Sequence, residues 1–201
     1  MPGKGRLIAL EGSGGRSMAV AARLLQRSLR GDGGAAGISK WDASGIFFDI
    51  LQGPRDLPGA SPRTLALLYA CDLAFRLRWE IRPALEEGMT VIAAPYVDSA
   101  IAVGRSAGLP RVWLRELLEF APAADASYRV PEDSIPASAR PKPSESFLEF
   151  CFVQLRRGTG SWNTEELRRA FLDQLKSLEA RGKCRLATQS SLAAARRAAP
   201  E

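Results

Sequence analysis

Arg6-Leu7-Ile8-Ala9-Leu10-Glu11-Gly12-Ser13-Gly14-Gly15-Arg16-Ser17-Met18-Ala19 runs from an apolar stretch through a glycine-rich turn into a helical pattern. Leu7 to Leu10 reads as a short strand buried on both faces, as in the middle of a parallel sheet. From Ser17 to Leu29, apolar residues recur at Met18, Ala21, Ala22, Leu25 and Leu29, the spacing of one helix face. A strand, a glycine turn and a helix start form the usual frame of a phosphate-binding loop, because the first backbone N–H groups of the helix face the anion. The working pattern is G-x-x-x-x-G-K-[ST]. Here the frame opened by Gly12 ends in Ser17-Met18-Ala19, and frames starting at Gly14 or Gly15 contain no lysine. The scaffold of the loop is present and its chemistry is missing.

The rest of the chain extends that frame. Ala36 to Trp41 reads as a second strand, followed by a short helix through Phe47 and Leu51 capped by Asp42 or Ser44. Ser61 as N-cap and Pro62 at the first helical position open the longest helical stretch. Leu65, Leu68, Tyr69, Leu73, Leu77 and Ile81 mark its apolar face, and Pro83 is expected to kink it before Gly88. Met89 to Ala94 is another continuous apolar strand, followed by a helix capped by Asp98 or Ser99 and one from Pro110 to Phe120. Ala126 to Val130 is a weaker strand, and residues 131–143 form a proline-bearing stretch read as exposed. Ser144 to Arg157 and Thr164 to Ala180 read as helices, Cys184 to Ala187 as a last strand and Leu192 to Ala199 as a last helix. Strands alternating with helices predict an α/β fold, a parallel sheet covered by helices on both faces.

Length and composition narrow the functional classes. At 201 residues the chain suits one α/β domain spanning 1–201. There is no histidine, which removes the usual general base and every Ser-His or Cys-His dyad. Cys71, Cys151 and Cys184 have no C-x-x-C spacing, so no zinc site is expected and the thiols read as small buried hydrophobes. No apolar run approaches the roughly 20 residues that span a bilayer, and the N-terminus leads straight into the first strand without a signal peptide. A cytoplasmic protein is the expectation. The net charge of +6 permits contact with nucleic acid, though the basic residues are spread along helices.

Several strings in this order resemble thymidylate kinase, a P-loop nucleoside monophosphate kinase. Leu7-Ile8-Ala9-Leu10-Glu11-Gly12 is similar to the family's opening strand and first glycine. Ser61-Pro62-Arg63-Thr64-Leu65-Ala66-Leu67-Leu68-Tyr69-Ala70-Cys71-Asp72 resembles its S-P-R-T-E-L-L-L-F-A-A-D string, and Ile81-Arg82-Pro83-Ala84-Leu85-Glu86-Glu87-Gly88 its I-R-P-A-L-E-E-G segment. Val91-Ile92-Ala93-Ala94-Pro95-Tyr96-Val97-Asp98-Ser99 resembles V-I-C-D-R-Y-x-D-S. The resemblance covers about residues 6 to 130 and implies a three-layer P-loop kinase-like fold.

The same resemblance locates what has changed. The place of the phosphate-binding lysine holds Met18, those of the magnesium-binding hydroxyls hold Ala19 and Val20, the second glycine is Ser17, and the loop's acidic residue is Gly14. Methionine donates no charge-assisted hydrogen bond and alanine ligates no metal. On the acceptor side, Ala94-Pro95-Tyr96 stands for D-R-Y, and Leu73 replaces the arginine that holds the base. Lys40 falls near the place of another phosphate-binding arginine, and Arg140 and Lys142 are the nearest candidates for a basic lid. The resemblance therefore implies a catalytically inactive member without ATP or magnesium as cofactor, a vestigial phosphate loop at Gly12, Gly14, Gly15, Arg16, Ser17, Met18 and Ala19, and a vestigial nucleoside pocket at Tyr69, Leu73, Ala94, Pro95 and Tyr96. Such a protein is expected to serve as a structural or regulatory subunit, pairing through helices with itself or another protein. The alternatives are a nucleotide sensor that stacks a base on Tyr69 and Tyr96, and an active dTMP kinase whose site is rebuilt around Arg16 or Arg23.

Overall fold

The computed structural model of the chain describes residues 5–31, 34–54, 58–131, 141–158 and 162–194. Five strands form one parallel sheet: β1 (Arg6–Glu11), β2 (Ala36–Lys40), β3 (Thr90–Ala94), β4 (Ala126–Arg129) and β5 (Arg185–Leu186), in the order β2-β3-β1-β4-β5. Leu7 lies opposite Val91 and Ile8 opposite Ala126 in its ladders, so β1 is central. Side chains alternate across the pleat. Leu7, Ala9, Val91 and Ala93 point into the larger apolar core, and Ile8, Leu10, Ile92 and Ala94 into the smaller.

Helices cover both faces, which makes the predicted three-layer α/β architecture the observed one. The smaller core lies under α1 (Gly15–Arg30) and α9 (Gln189–Ala194). The larger lies under α2 (Ile46–Gln52), α3 (Pro62–Arg76), α5 (Val97–Ser106), α7 (Phe147–Arg157) and α8 (Thr164–Ala180), with α4 (Arg82–Glu86) and α6 (Arg111–Leu117) completing that side. Trp41, Phe47, Tyr69, Phe147 and Phe150 interlock in it with ring centroids 4.6 to 6.2 Å apart.

Local sequence explains most of the boundaries. Ser61 caps α3 by accepting the Thr64 N–H at 3.1 Å, with Pro62 at the first position. Pro83 has no N–H to donate, and the turn before it, Leu77–Ile81, widens into a π-helix in which Arg82 N–H reaches back to Leu77 O. Asp42 caps α2 from a left-handed backbone position, accepting from Phe47 N–H at 2.8 Å and Phe48 N–H at 2.9 Å.

Some expected boundaries move. Neither Asp98 nor Ser99 caps α5: both lie inside its first turn, and the cap comes from Glu11, on the end of β1. α6 ends at Leu117, because the chain turns at Leu118–Phe120, and α7 begins at Phe147 behind its N-cap Ser146. β5 shortens to Arg185–Leu186, and α9 starts at Gln189, since the Thr188 and Ser191 side chains turn the chain there. Most of the proline-bearing stretch, with Arg140, and the end of the last expected helix lie outside the described residues.

Candidate functional site

The glycine-rich turn connects the carboxyl end of central β1 to α1. α1 begins at Gly15, so only Gly12 to Gly14 separate strand from helix, and Arg16 and Ser17 are already helical. Gly14 (φ 96°) and Gly15 (φ 72°) lie in the left-handed region that favours glycine. A second constraint acts on them. A Cβ on Gly14 would stand 3.2 Å from Ser146 Cα, and one on Gly15 would stand 2.7 Å from Pro141 Cβ.

The segment leading into α7 therefore lies directly on the loop. Gly15 N–H donates to Glu145 O at 2.8 Å, Ser146 Oγ donates to Ser13 O at 2.7 Å, and Leu148 N–H donates to Ser13 O at 3.2 Å. On its other side Gly12 N–H donates to Ser99 Oγ at 2.9 Å. The Gly12 and Gly15 N–H groups and the Ser13 carbonyl are thus bonded to the protein's own chain, and no side chain caps the start of α1.

Met18 is 3% exposed and packs into the smaller core with Ile8, Leu10 and Ile92. Ala19 and Val20 are exposed. Beside the loop a cavity of about 740 Å³ opens between α1 and the ends of β2 and β3, lined by Arg16, Arg23, Lys40, Trp41, Asp42 and Glu145 among others. Gly14, Gly15, Met18, Ala19 and Ala94 reach its wall as well, so the glycine-rich loop and Lys40 meet at one place.

Of the expected nucleoside pocket only Ala94 reaches this cavity. Tyr69, Leu73 and Tyr96 are buried in the larger core. The Tyr69 ring lies 4.6 Å from that of Phe147, and its hydroxyl donates toward Pro95 O and Tyr96 O at 3.1 and 2.9 Å. Tyr96 Oη donates to Pro122 O at 2.8 Å. Burial pushes both phenols well above their ordinary value. The space beside Tyr69, between α3, α5 and α7, is about 10 Å³, room for about one water and none for a base. Pro95 follows Ala94 through a cis peptide bond, and both are buried.

Three buried ionisable side chains hold the loops around this region in place, and none was marked by its residue type alone. Glu11 accepts Asp98 N–H (3.3 Å), Ser99 N–H (2.8 Å) and Ser99 Oγ–H (2.5 Å). Burial, and then the charge of Asp98, raise its carboxyl to about 8 against those donors. Asp72 accepts from Asp42 N–H, Ser44 N–H and Ser44 Oγ–H, and fixes the turn after β2. Arg76 is fully buried and donates to Ser39 Oγ, Ser39 O and Pro95 O at 2.9, 2.9 and 3.0 Å. Ser39 Oγ in turn donates to Glu80 at 2.6 Å, which brings a carboxylate into the arginine's network. The burial of Arg76 on the inner face of α3 was legible only as its spacing from Tyr69 and Leu73.

Comparison with known proteins decides the family. The chain is 33% identical over 182 residues to the thymidylate kinase of Rhizorhabdus wittichii, an alignment covering 76% of this chain and 83% of that one. The chain belongs to the thymidylate kinase family. It is also 36% identical over 102 residues to the Leifsonia xyli thymidylate kinase and 30% identical over 132 residues to a probable thymidylate kinase of Pyrococcus abyssi. In those two alignments it spans 48% and 62% of the relative's length. No family model matches the chain. Among solved structures, the thymidylate kinase of Ehrlichia chaffeensis superposes with a TM-score of 0.67 over 92% of this chain and 86% of that one, at 15% identity. That likeness carries the fold alone.

Among the described residues no group of three or more Cys, Asp or Glu side chains could hold a metal ion, and no helix is long and apolar enough to cross a membrane.

Proposed function

We propose that this member of the thymidylate kinase family does not transfer phosphoryl groups and acts as a structural or regulatory subunit. The observation that carries the reading is Met18. In the place of the lysine that neutralises the transferred phosphoryl group stands a side chain that is 3% exposed and belongs to the apolar core. A P-loop kinase works almost entirely by positioning and electrostatic stabilisation, so loss of that cation and of the metal-binding hydroxyl removes most of what the loop contributes. Ala19 and Val20 supply no hydroxyl, and Gly15 N–H already serves Glu145.

The partner side of the proposal rests on exposed apolar residues. Leu67, Cys71, Phe75 and Trp79 recur every fourth position on the outer side of α3 and the π turn, and all four are exposed. Such a stripe suits helix-to-helix pairing with a second copy or another protein. The three unpaired thiols suit a reducing, cytoplasmic setting.

A second reading, nucleotide binding without turnover, is favoured by the 740 Å³ cavity with Arg16, Arg23 and Lys40 on its wall. Base stacking on Tyr69 is disfavoured by the Phe147 ring packed beside it.

A coupled assay with ATP, magnesium and dTMP tests the proposal. The expected result is ADP release no faster than without dTMP; steady dTMP-dependent turnover establishes a rebuilt active site instead. A melting temperature raised by ATP or dTMP without turnover selects the second reading.

A further inference from the structure

The helix carboxylates of this fold lie on one of its two faces, whereas arginines occur on both. Every helix on the side of the larger core carries at least one carboxylate: Asp49 on α2, Asp72 on α3, Glu86 on α4, Asp98 on α5, Glu116 on α6, Glu149 on α7 and Glu179 on α8 are examples. The two helices on the other side, α1 and α9, and the edge strand β2 beside them, carry none. α1 instead presents Arg16, Arg23, Arg27 and Arg30, all exposed and close to one line along the helix. That line spans about 21 Å at 1.5 Å per residue. Arg30 is fixed by two hydrogen bonds from its guanidinium to Ala36 O, and Arg27 donates to Arg23 O at 3.4 Å. Arg16 and Arg23 have no ion-pair partner among the described residues. The line leads into the cavity, where Arg16, Arg23 and Lys40 outnumber the carboxylates of Asp42 and Glu145 beside the half-buried Trp41.

We propose that the α1 face and this cavity together bind single-stranded nucleic acid, with the arginines tracking successive phosphates and the cavity taking one nucleoside against Trp41. This goes beyond the loss of catalysis and does not rest on it, since Arg23 and Arg27 lie outside the vestigial loop. Charge complementarity sets the class of ligand. Guanidinium groups pair with phosphate oxygens through two donors at once. Single strands are bound where phosphate contacts and base stacking act together, and the line of arginines ends beside one indole, Trp41, which is half-buried against Phe47, Phe147 and Phe150. An acidic peptide fits less well, because Val20 is the one large apolar side chain exposed on α1, which leaves little for a peptide's own side chains to pack on. The cavity's volume of about 740 Å³ also suits a nucleoside rather than a carboxylate side chain.

Fluorescence anisotropy with a labelled 12-nucleotide single strand, titrated with the full chain between 50 and 200 mM salt, tests this. Three phosphate contacts give a plot of log affinity against log salt with a slope of about −2, at 0.7 per contact. Arg23→Glu with Arg27→Glu is expected to weaken binding at least tenfold and to flatten the slope by about 1.4. Arg156→Glu with Arg157→Glu, exposed residues on α7 with the same change in net charge, is expected to leave affinity within twofold. The milder Arg23→Gln with Arg27→Gln, checked by its melting curve, guards against a folding defect and is expected to give the same flattened slope. The proposal is overturned if no saturable binding appears at 50 mM salt, or if both charge-reversal pairs weaken binding equally. Tighter binding to a poly-glutamate peptide, to vesicles of anionic lipid or to duplex DNA than to the single strand also overturns it.

Discussion

Replacing Glu11 by glutamine keeps the length of the side chain and removes its titration. The wild-type carboxyl is fully buried beneath the glycine-rich loop, beside Asp98, and accepts two backbone N–H groups and one hydroxyl at the start of α5. Burial and the neighbouring charge hold it at about 8, against 4.5 for the free side chain. Between those values the folded protein keeps a proton that the unfolded chain has released. This contribution to stability is therefore fully present below about 4.5 and is lost as pH rises through 8. At 1.36 kcal/mol per unit the whole effect is on the order of 5 kcal/mol, or roughly 10–20 °C in melting temperature for a chain of this size. Asp98 is also raised by burial, against the pull of Lys183, Arg111 and Arg115, so a shallower slope of the same sign survives in the variant. Melting temperatures at half-unit steps from pH 5 to 9 measure this. The wild type is expected to fall steadily toward pH 8.5, with Glu11→Gln much flatter and its relative stability rising with pH. A wild-type profile that is level or rising across this range refutes the reasoning, as does an equal fall in the variant.

Three further substitutions test the packing around the site. Asp72→Ala leaves the Asp42 and Ser44 N–H groups without their acceptor and is expected to cost about 3 kcal/mol, read as a shifted urea midpoint. Arg76→Met removes the donors to Ser39 O and Pro95 O inside the core, an expected loss of about 2–4 kcal/mol by the same measurement. Gly59→Ala drives a Cβ to 1.9 Å from Gln154 O and 2.6 Å from Gly158 N at the end of α7; backbone must move, and a loss of about 1–3 kcal/mol is expected.

Much of the fold was readable because its signals are local. Leu7 to Leu10 and Val91 to Ala94 are continuous apolar runs that only a strand buried on both faces requires, and Ser61-Pro62 announces a helix within two residues. The cap of α5 was not readable, because it comes from Glu11, 88 positions before Ser99, while Asp98 and Ser99 look locally like caps. The widened turn before Pro83 follows from a missing N–H, yet sequence showed only that some kink was due. At the site, Met18 was legible as an absent lysine, but its burial in the smaller core depends on α1 beginning at Gly15. Nothing near Ser13 foretold that Glu145 and Ser146 would bond to the loop from 130 or more residues away. The one-sided placement of carboxylates appears only once the helices are assigned to faces.

A single-turnover measurement tests the central reading most directly: enzyme in excess over dTMP, with ATP and magnesium, quenched at intervals from milliseconds to hours and analysed for dTDP. Excess enzyme exposes even one slow transfer per molecule. With Met18 in the lysine's place, dTDP is expected to form no faster than in buffer. Formation at about 1–100 per second, the range of working kinases, would contradict it.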